Sequence, residues 1–204
     1  MLEAYLARDR YNSSVTKAIQ RLRGAAMTEV RDTVSIRTAR VPDVEAIAHV
    51  RVAAWRAAYR GLMPDSYLDR ADLEDTEAEY LRDRLRSMRD GVRISVAEMD
   101  GRIVGYCAYG CGEHGDAEPA TGGVYDLYVH PEVWRRGVGQ RLLAYATEYF
   151  KAQRFSEATL FVFEANARAS KFYEQVGWHA DGHREIYERA GFSLPVLRYR
   201  TRCA

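Results

Sequence analysis

The sequence predicts an α/β domain of the α+β kind, a mixed and mostly antiparallel sheet of about seven strands flanked by helices. Three observations predict it. Asp100-Gly101 separates two alternating apolar runs, 93–99 and 102–110, and is the strongest short hairpin signal in the chain. The runs 124–129 and 158–163 are apolar and β-branched enough for buried strands, and each leads into apolar residues at helical spacing. With a strand ahead of them and a pair behind, the order reads β-α-α-β-β-β-α-β-α-β-β, without an internal repeat.

Taken in order, residues 1–33 form an N-terminal extension, helical or partly disordered, in which 2–10 and 15–23 carry narrow apolar stripes around an Asn12-Ser13-Ser14 break. The domain proper, 34–204, opens on the alternating strand 34–38. Pro42 then starts a helix to about Tyr59, with Ile47, Val50, Ala54, Trp55 and Ala58 as its core stripe, and Gly61 and Pro64 end it. A second helix runs from Leu73 or Thr76 to Met88, with Tyr80, Leu81 and Leu85 inward and Arg82, Arg84, Arg86 and Arg89 on a solvated face. After the hairpin, 112–123 reads as a polar loop. Pro131 stops the pairing of strand 124–129, and Val138, Leu142, Leu143, Ala146 and Phe150 carry a helix to about Gln153. Strand 158–163 follows, then a short helix through Ala169, Phe172, Tyr173 and Val176 that Gly177 ends, and strands 178–183 and 196–200 close the sheet.

A chain of 204 residues can bury one core without disulfides or metal. Its 30 Lys and Arg against 29 Asp and Glu are interspersed, so there is no basic face and nucleic acid is not an expected partner. Cys107, Cys111 and Cys203 form no C-x-x-C pair and suit reduced thiols. A zinc reading of Cys107, Cys111 and His114 lacks a fourth ligand. Glu3, Arg8, Asp9 and Arg10 stand where a signal peptide needs an apolar core, and no stretch has the length of a membrane span. The expectation is a cytoplasmic protein with no membrane partner and no metal.

The chemistry concentrates in 124–143. Arg135, Arg136, Gly137, Val138, Gly139 and Gln140 open a helix whose first N–H groups lack internal partners and lie at the positive end of its dipole. The glycines let a ligand approach those amides and the arginines add charge, so a phosphate or pyrophosphate is the expected ligand. Two nucleotide-binding patterns fail here. Leu142 stands where G-x-G-x-x-G needs its third Gly, with too little chain after Glu164 for a dinucleotide sheet, and no Walker A sequence occurs.

Leu127-Tyr-Val-His-Pro through Arg135-Arg-Gly-Val-Gly-Gln140 resembles the central strand and loop of the acyl-CoA-dependent GNAT N-acyltransferases. The block Leu160-Phe-Val-Phe-Glu-Ala-Asn-Ala-Arg-Ala-Ser-Lys-Phe-Tyr-Glu-Gln-Val-Gly-Trp178 is similar to that family's next strand, Asn-containing turn and following helix. With a weaker likeness around 55–64, the resemblance spans about 36–200. It implies an N-acetyltransferase that moves the acetyl group of acetyl-CoA directly to a primary amine of a small molecule or peptide. It also implies central strands splayed apart, with the pyrophosphate on the amides of 135–140 and the pantetheine arm paired with the main chain of Leu127, Tyr128 and Val129. Asn166 would meet the arm from its other side, and an N–H near Val129 would steady the oxyanion. Tyr173 would be the general acid that protonates the departing thiolate, an unperturbed phenol near pKa 10 being close enough to a thiol for efficient transfer. Trp55 and Tyr59, with the 112–123 loop, would border the acceptor, and a homodimer is expected from the family's frequent dimers.

Two positions depart from the family pattern. Trp134 stands where many members carry Gln or Arg, and Gly123 lies near a glutamate that deprotonates the amine in several of them. The base therefore stays open between Asp126, if a bulge turns it inward, Glu98, and a water chain. The missing glutamate also keeps a second reading in play, a regulatory module that binds acyl-CoA without turnover.

Overall fold

A computed structural model describes residues 34–86, 91–112 and 121–203. The expectations for 1–33, for Met88 and Arg89, and for His114 with the rest of 113–120 lie outside the described residues. Strands β1 (Ser35–Thr38), β2 (Arg93–Met99), β3 (Arg102–Cys111), β4 (Thr121–Val129), β5 (Glu157–Phe163), β6 (His179–Arg189) and β7 (Phe192–Arg202) alternate with helices in the expected order. The helices are α1 (Val44–Ala58), α2 (Asp65–Leu68), α3 (Leu73–Arg86), α4 (Val138–Ala152) and α5 (Ala167–Gln175). Among the described residues α2 is an α-helix beyond those expected, a single turn too short to leave a period in the sequence.

One sheet of seven strands runs β1-β2-β3-β4-β5-β7-β6. Its neighbours are antiparallel except β4 and β5, which are parallel, so the sheet is mixed and mostly antiparallel as expected. Asp100 and Gly101, at φ 51° and 73°, make the anticipated tight hairpin. Ala190 and Gly191, at φ 48° and 83°, make a second one. That turn lengthens the last two strands well beyond 178–183 and 196–200, because β6 alternates half-buried and exposed polar side chains and so shows no apolar run.

The sheet is covered on both faces. Helices α1 and α3 pack with Ile94, Val96, Tyr106 and Ala108, whereas α4 and α5 pack with Cys107, Val124, Leu160 and Val162. A third cluster, Trp55, Tyr59, Met63, Tyr67, Leu68 and Leu73, gathers where α1 ends and α2 begins. Among the described residues no helix is long and apolar enough to cross a membrane.

Strand β4 begins at Thr121, inside the segment that the composition reads as loop. Gly122 explains both the misreading and the packing. A Cβ there would lie 2.6 Å from the fully buried ring of Phe150, so glycine is what lets α4 sit on this strand. We expect Gly122→Ala to destabilise the fold by about 1–3 kcal/mol through overpacking, read as a lower urea midpoint at unchanged slope.

The feature that prepares the site is a partial strand pairing. β4 and β5 are in register only from Thr121↔Glu157 to Val124↔Leu160, although β4 continues to Val129 and β5 to Phe163. Beyond Val124 the two strands part, giving the splay that the resemblance implied.

Candidate active site

The free edge of β4 faces that opening. His130 N–H donates to the Val104 carbonyl at 2.8 Å, so by antiparallel alternation the main chains of His130 and Tyr128 face β3, and those of Leu127 and Val129 face the gap. The expectation that all three residues 127–129 offer main-chain groups to the gap is corrected accordingly. Tyr128 contributes its side chain. The Val129 carbonyl is also committed, accepting the Trp134 indole N–H at 2.7 Å. The gap is left with the Val129 N–H and both main-chain groups of Leu127.

At one end of the gap lies the start of α4. Arg135 and Gly137 take left-handed φ values of 66° and 77°, and Gly137 is the N-cap. Its carbonyl accepts Arg141 N–H at 3.1 Å, while the amides of Val138, Gly139 and Gln140 lack partners within the helix. No side chain caps them and no acid stands in the first turn. A Cβ on Gly139 would fill the space next to Phe172 and Val129, at 3.4 and 3.7 Å, and a Cβ on Gly137 would meet nothing within 4 Å. This open, amide-lined cradle fits a diphosphate. On the far side, Asn166 caps α5 by accepting Ala169 N–H at 3.1 Å, which commits its carbonyl oxygen and leaves its amide N–H groups as donors.

Tyr173 reaches the same region from α5, buried among the rings of Phe172, Trp178 and Tyr199. Burial pushes its phenol well above the usual range, and Cys107, Tyr128 and Asp126 add to the shift. The unperturbed phenol of the sequence reading is thereby corrected. Those three neighbours also show what the fold brings together. Asp126 comes in through a bulge: β3 and β4 change register between Ala108↔Asp126 and Tyr109↔Val124, leaving Tyr125 as the extra residue. The carboxylate is 8% exposed. Glu98, the other candidate carboxylate, pairs with Arg37 at 3.0 Å beside β1. A side chain at Gly123 would press on Gly112 and Tyr125 at 3.3 Å, so this chain has little room for a glutamate there.

The expected acceptor residues adjoin this group. Trp55 packs edge-on to Tyr128 with ring centres 6.1 Å apart, and Tyr59 edge-on to Phe163 at 5.0 Å. Burial raises the Tyr59 phenol, and the neighbouring Tyr128 hydroxyl raises it further.

Sequence reading missed the charged residues behind this wall. Arg51 lies 3.3 Å from Asp126 and 3.1 Å from the Tyr106 hydroxyl, and its Nε is 3.1 Å from Glu77 as an ion pair without hydrogen-bond alignment. Glu77, fully buried, also accepts from Arg189, which donates to the Tyr67 hydroxyl at 2.9 Å. The Trp55 ring stands near both guanidinium carbons, 4.8 Å from Arg51 and 5.0 Å from Arg189. Burial opposes the Arg51 charge, but Asp126 and Glu77 help to hold its pKa well above the ordinary value. A signal was present: Arg51 sits four residues from both Ile47 and Trp55, and Glu77 four from both Leu73 and Leu81, each a charge inside an apolar stripe. Among the described residues no group of three or more His, Cys, Asp and Glu is arranged to hold a metal ion.

Comparison with known proteins adds independent findings. A sequence model of the Acetyltransferase (GNAT) family matches residues 52–178. The chain is 30% identical over 133 residues to the uncharacterized N-acetyltransferase YuaI of Bacillus subtilis, covering 65% of this chain and 73% of that one. It is 32% identical over 126 residues to a mycothiol acetyltransferase of Acidimicrobium ferrooxidans, covering 61% of this chain but only 39% of that protein. In fold it is similar to the PaiA N-acetyltransferase of Thermoplasma acidophilum solved in complex with coenzyme A, with a TM-score of 0.63 at 18% identity over 81% of this chain and 98% of that one.

Proposed function

The chain belongs to the acetyltransferase (GNAT) family, and on that premise we propose that it transfers the acetyl group of acetyl-CoA directly to a primary amine of a small molecule or peptide. The observation that carries this reading is the gap between β4 and β5, with the uncapped amides of α4 at one end of it and the buried Tyr173 of α5 packed in the same core. Coenzyme A bound to the PaiA relative and acetyl-CoA bound to a structural neighbour, YncA of Salmonella typhimurium, are consistent with the same co-substrate here.

In this reading the amides of Val138, Gly139 and Gln140 hold the diphosphate, and the main chain of Leu127 with Asn166 aligns the arm like an added strand. The Val129 N–H donates to the acetyl oxygen as negative charge grows on it. Asp126, through its neighbours Tyr128 and Tyr59, receives the proton that the amine sheds. Tyr173 gives its proton to the sulfur as the carbon–sulfur bond breaks. Trp55 and Tyr59 form the acceptor wall. The chain spans well under half of the mycothiol acetyltransferase it matches, so the acceptor is taken no further than an amine. Residues 1–33 as an extension, a cytoplasmic location and a homodimer belong to the same reading.

Calorimetric titration tests it. Acetyl-CoA and free CoA should bind in the micromolar range, with ATP and NADH weak, and a free-thiol assay over a panel of amines should then find turnover. No acyl-CoA binding would sink the proposal, and binding without turnover on any amine would favour the regulatory module.

A further inference from the structure

We propose that Arg168 is a coenzyme A ligand: its guanidinium, carried on the Trp134 ring, closes on a phosphate group of the cofactor opposite the amides that open α4. This role presupposes the acetyl-CoA reading above and adds a residue to it.

Arg168 occupies a position that is unfavourable for a cation in isolation. It lies in the first turn of α5, two residues past the Asn166 N-cap, at the positive end of that helix and with no acid in the turn. The start of α4 likewise has no acid in its first turn, and Arg135 precedes it. The Arg168 guanidinium carbon stands 3.4 Å from the centre of the Trp134 ring, and that indole is itself pinned to the Val129 carbonyl at 2.7 Å. Among the described residues no carboxylate pairs with Arg168. Partial burial lowers its pKa and Arg135 lowers it further, with the Tyr59 hydroxyl acting the other way.

Phe172, one turn along α5 on the same side, borders the space above Gly139. Arg168 therefore sits on the helix that lies against the amide cradle, where an anion between it and Arg135 would relieve the repulsion. Stacking on a fixed indole also orients the planar guanidinium for two-pronged contact with phosphate, which a lysine in its place would not achieve. The shared chemistry is a phosphate ester, either the diphosphate or the 3′-phosphate.

The test is calorimetric binding of CoA, dephospho-CoA and pantetheine to the wild type, Arg168→Gln and Arg168→Lys, with thermal melts as a folding control. Arg168→Gln should weaken CoA about tenfold to a hundredfold and leave pantetheine unchanged, and Arg168→Lys should fall between. An equal loss for dephospho-CoA identifies the diphosphate as the contact, and a loss confined to CoA identifies the 3′-phosphate. Arg168→Gln binding CoA as tightly as the wild type would overturn the assignment. So would an equal loss for pantetheine, or an effect only on the acceptor KM, which would put Arg168 in the amine pocket beside Tyr59. A wild type that binds no CoA would overturn the cofactor reading itself, and this role with it.

Discussion

Tyr173→Phe should lower kcat for acetyl transfer by about 10²–10³-fold while the affinity for acetyl-CoA stays close to that of the wild type. The substitution keeps the ring that packs against Phe172, Trp178 and Tyr199, so neither fold nor cofactor cradle should change. It removes only the hydroxyl group, and with it the proton that the thiolate would receive. Burial raises the pKa of that phenol, which weakens it as an acid in absolute terms. A thiolate leaving beside the same buried ring is disfavoured as well, so burial moves phenol and thiol in the same direction. A raised phenol pKa also fixes a sign. The protonated form fills the whole working range, so no alkaline loss of kcat from this group appears below about pH 10. An acid limb, where rate falls as pH drops, then belongs to the amine and its base. Steady-state kinetics of both proteins across pH, with thiol release as the signal, check this, and an unchanged kcat for Tyr173→Phe would remove its acid role.

The parts of this site that were legible share a physical origin. The strand-turn-helix around Gly137 could be read because backbone amides, left-handed glycines and a helix start are local properties of sequence. The tight turn at Asp100-Gly101 was readable for the same reason. Less local features were not. The short pairing between β4 and β5 is a relation between strands far apart in the chain, and nothing within 124–129 states where it ends. The capping of the Val129 carbonyl by Trp134 depends on the fold of the turn between them, so a residue noted only as a departure proved to occupy one of the gap's acceptors. A bulge is the condition that the sequence sets for Asp126, and only the pairing of β3 with β4 puts it at Tyr125; the residue that receives the carboxylate, Arg51, lies on a helix whose apolar members dominate its pattern.

That buried ion network is where the largest effect on stability is expected. Glu77→Ala should cost about 3–5 kcal/mol, because it leaves the guanidinium groups of Arg51 and Arg189 facing each other across a fully buried position. For a chain of this size that lowers Tm by on the order of 10 °C. Glu77→Gln should cost less, since it keeps the shape and an acceptor oxygen for Arg189. The consequence extends to the acceptor wall, because Trp55 lies near both guanidinium groups and Arg51 would keep Asp126 as its one carboxylate, with the Tyr106 hydroxyl beside it. The amide cradle at α4 lies on the other face of the sheet and makes none of these contacts. Glu77→Ala should therefore raise the acceptor KM while CoA affinity, measured below the lowered Tm, stays within about twofold. A melt within about 2 °C of the wild type would mean that Arg51 and Arg189 find other partners, and the network would then have no claim to hold α1, α3 and β6 together behind Trp55.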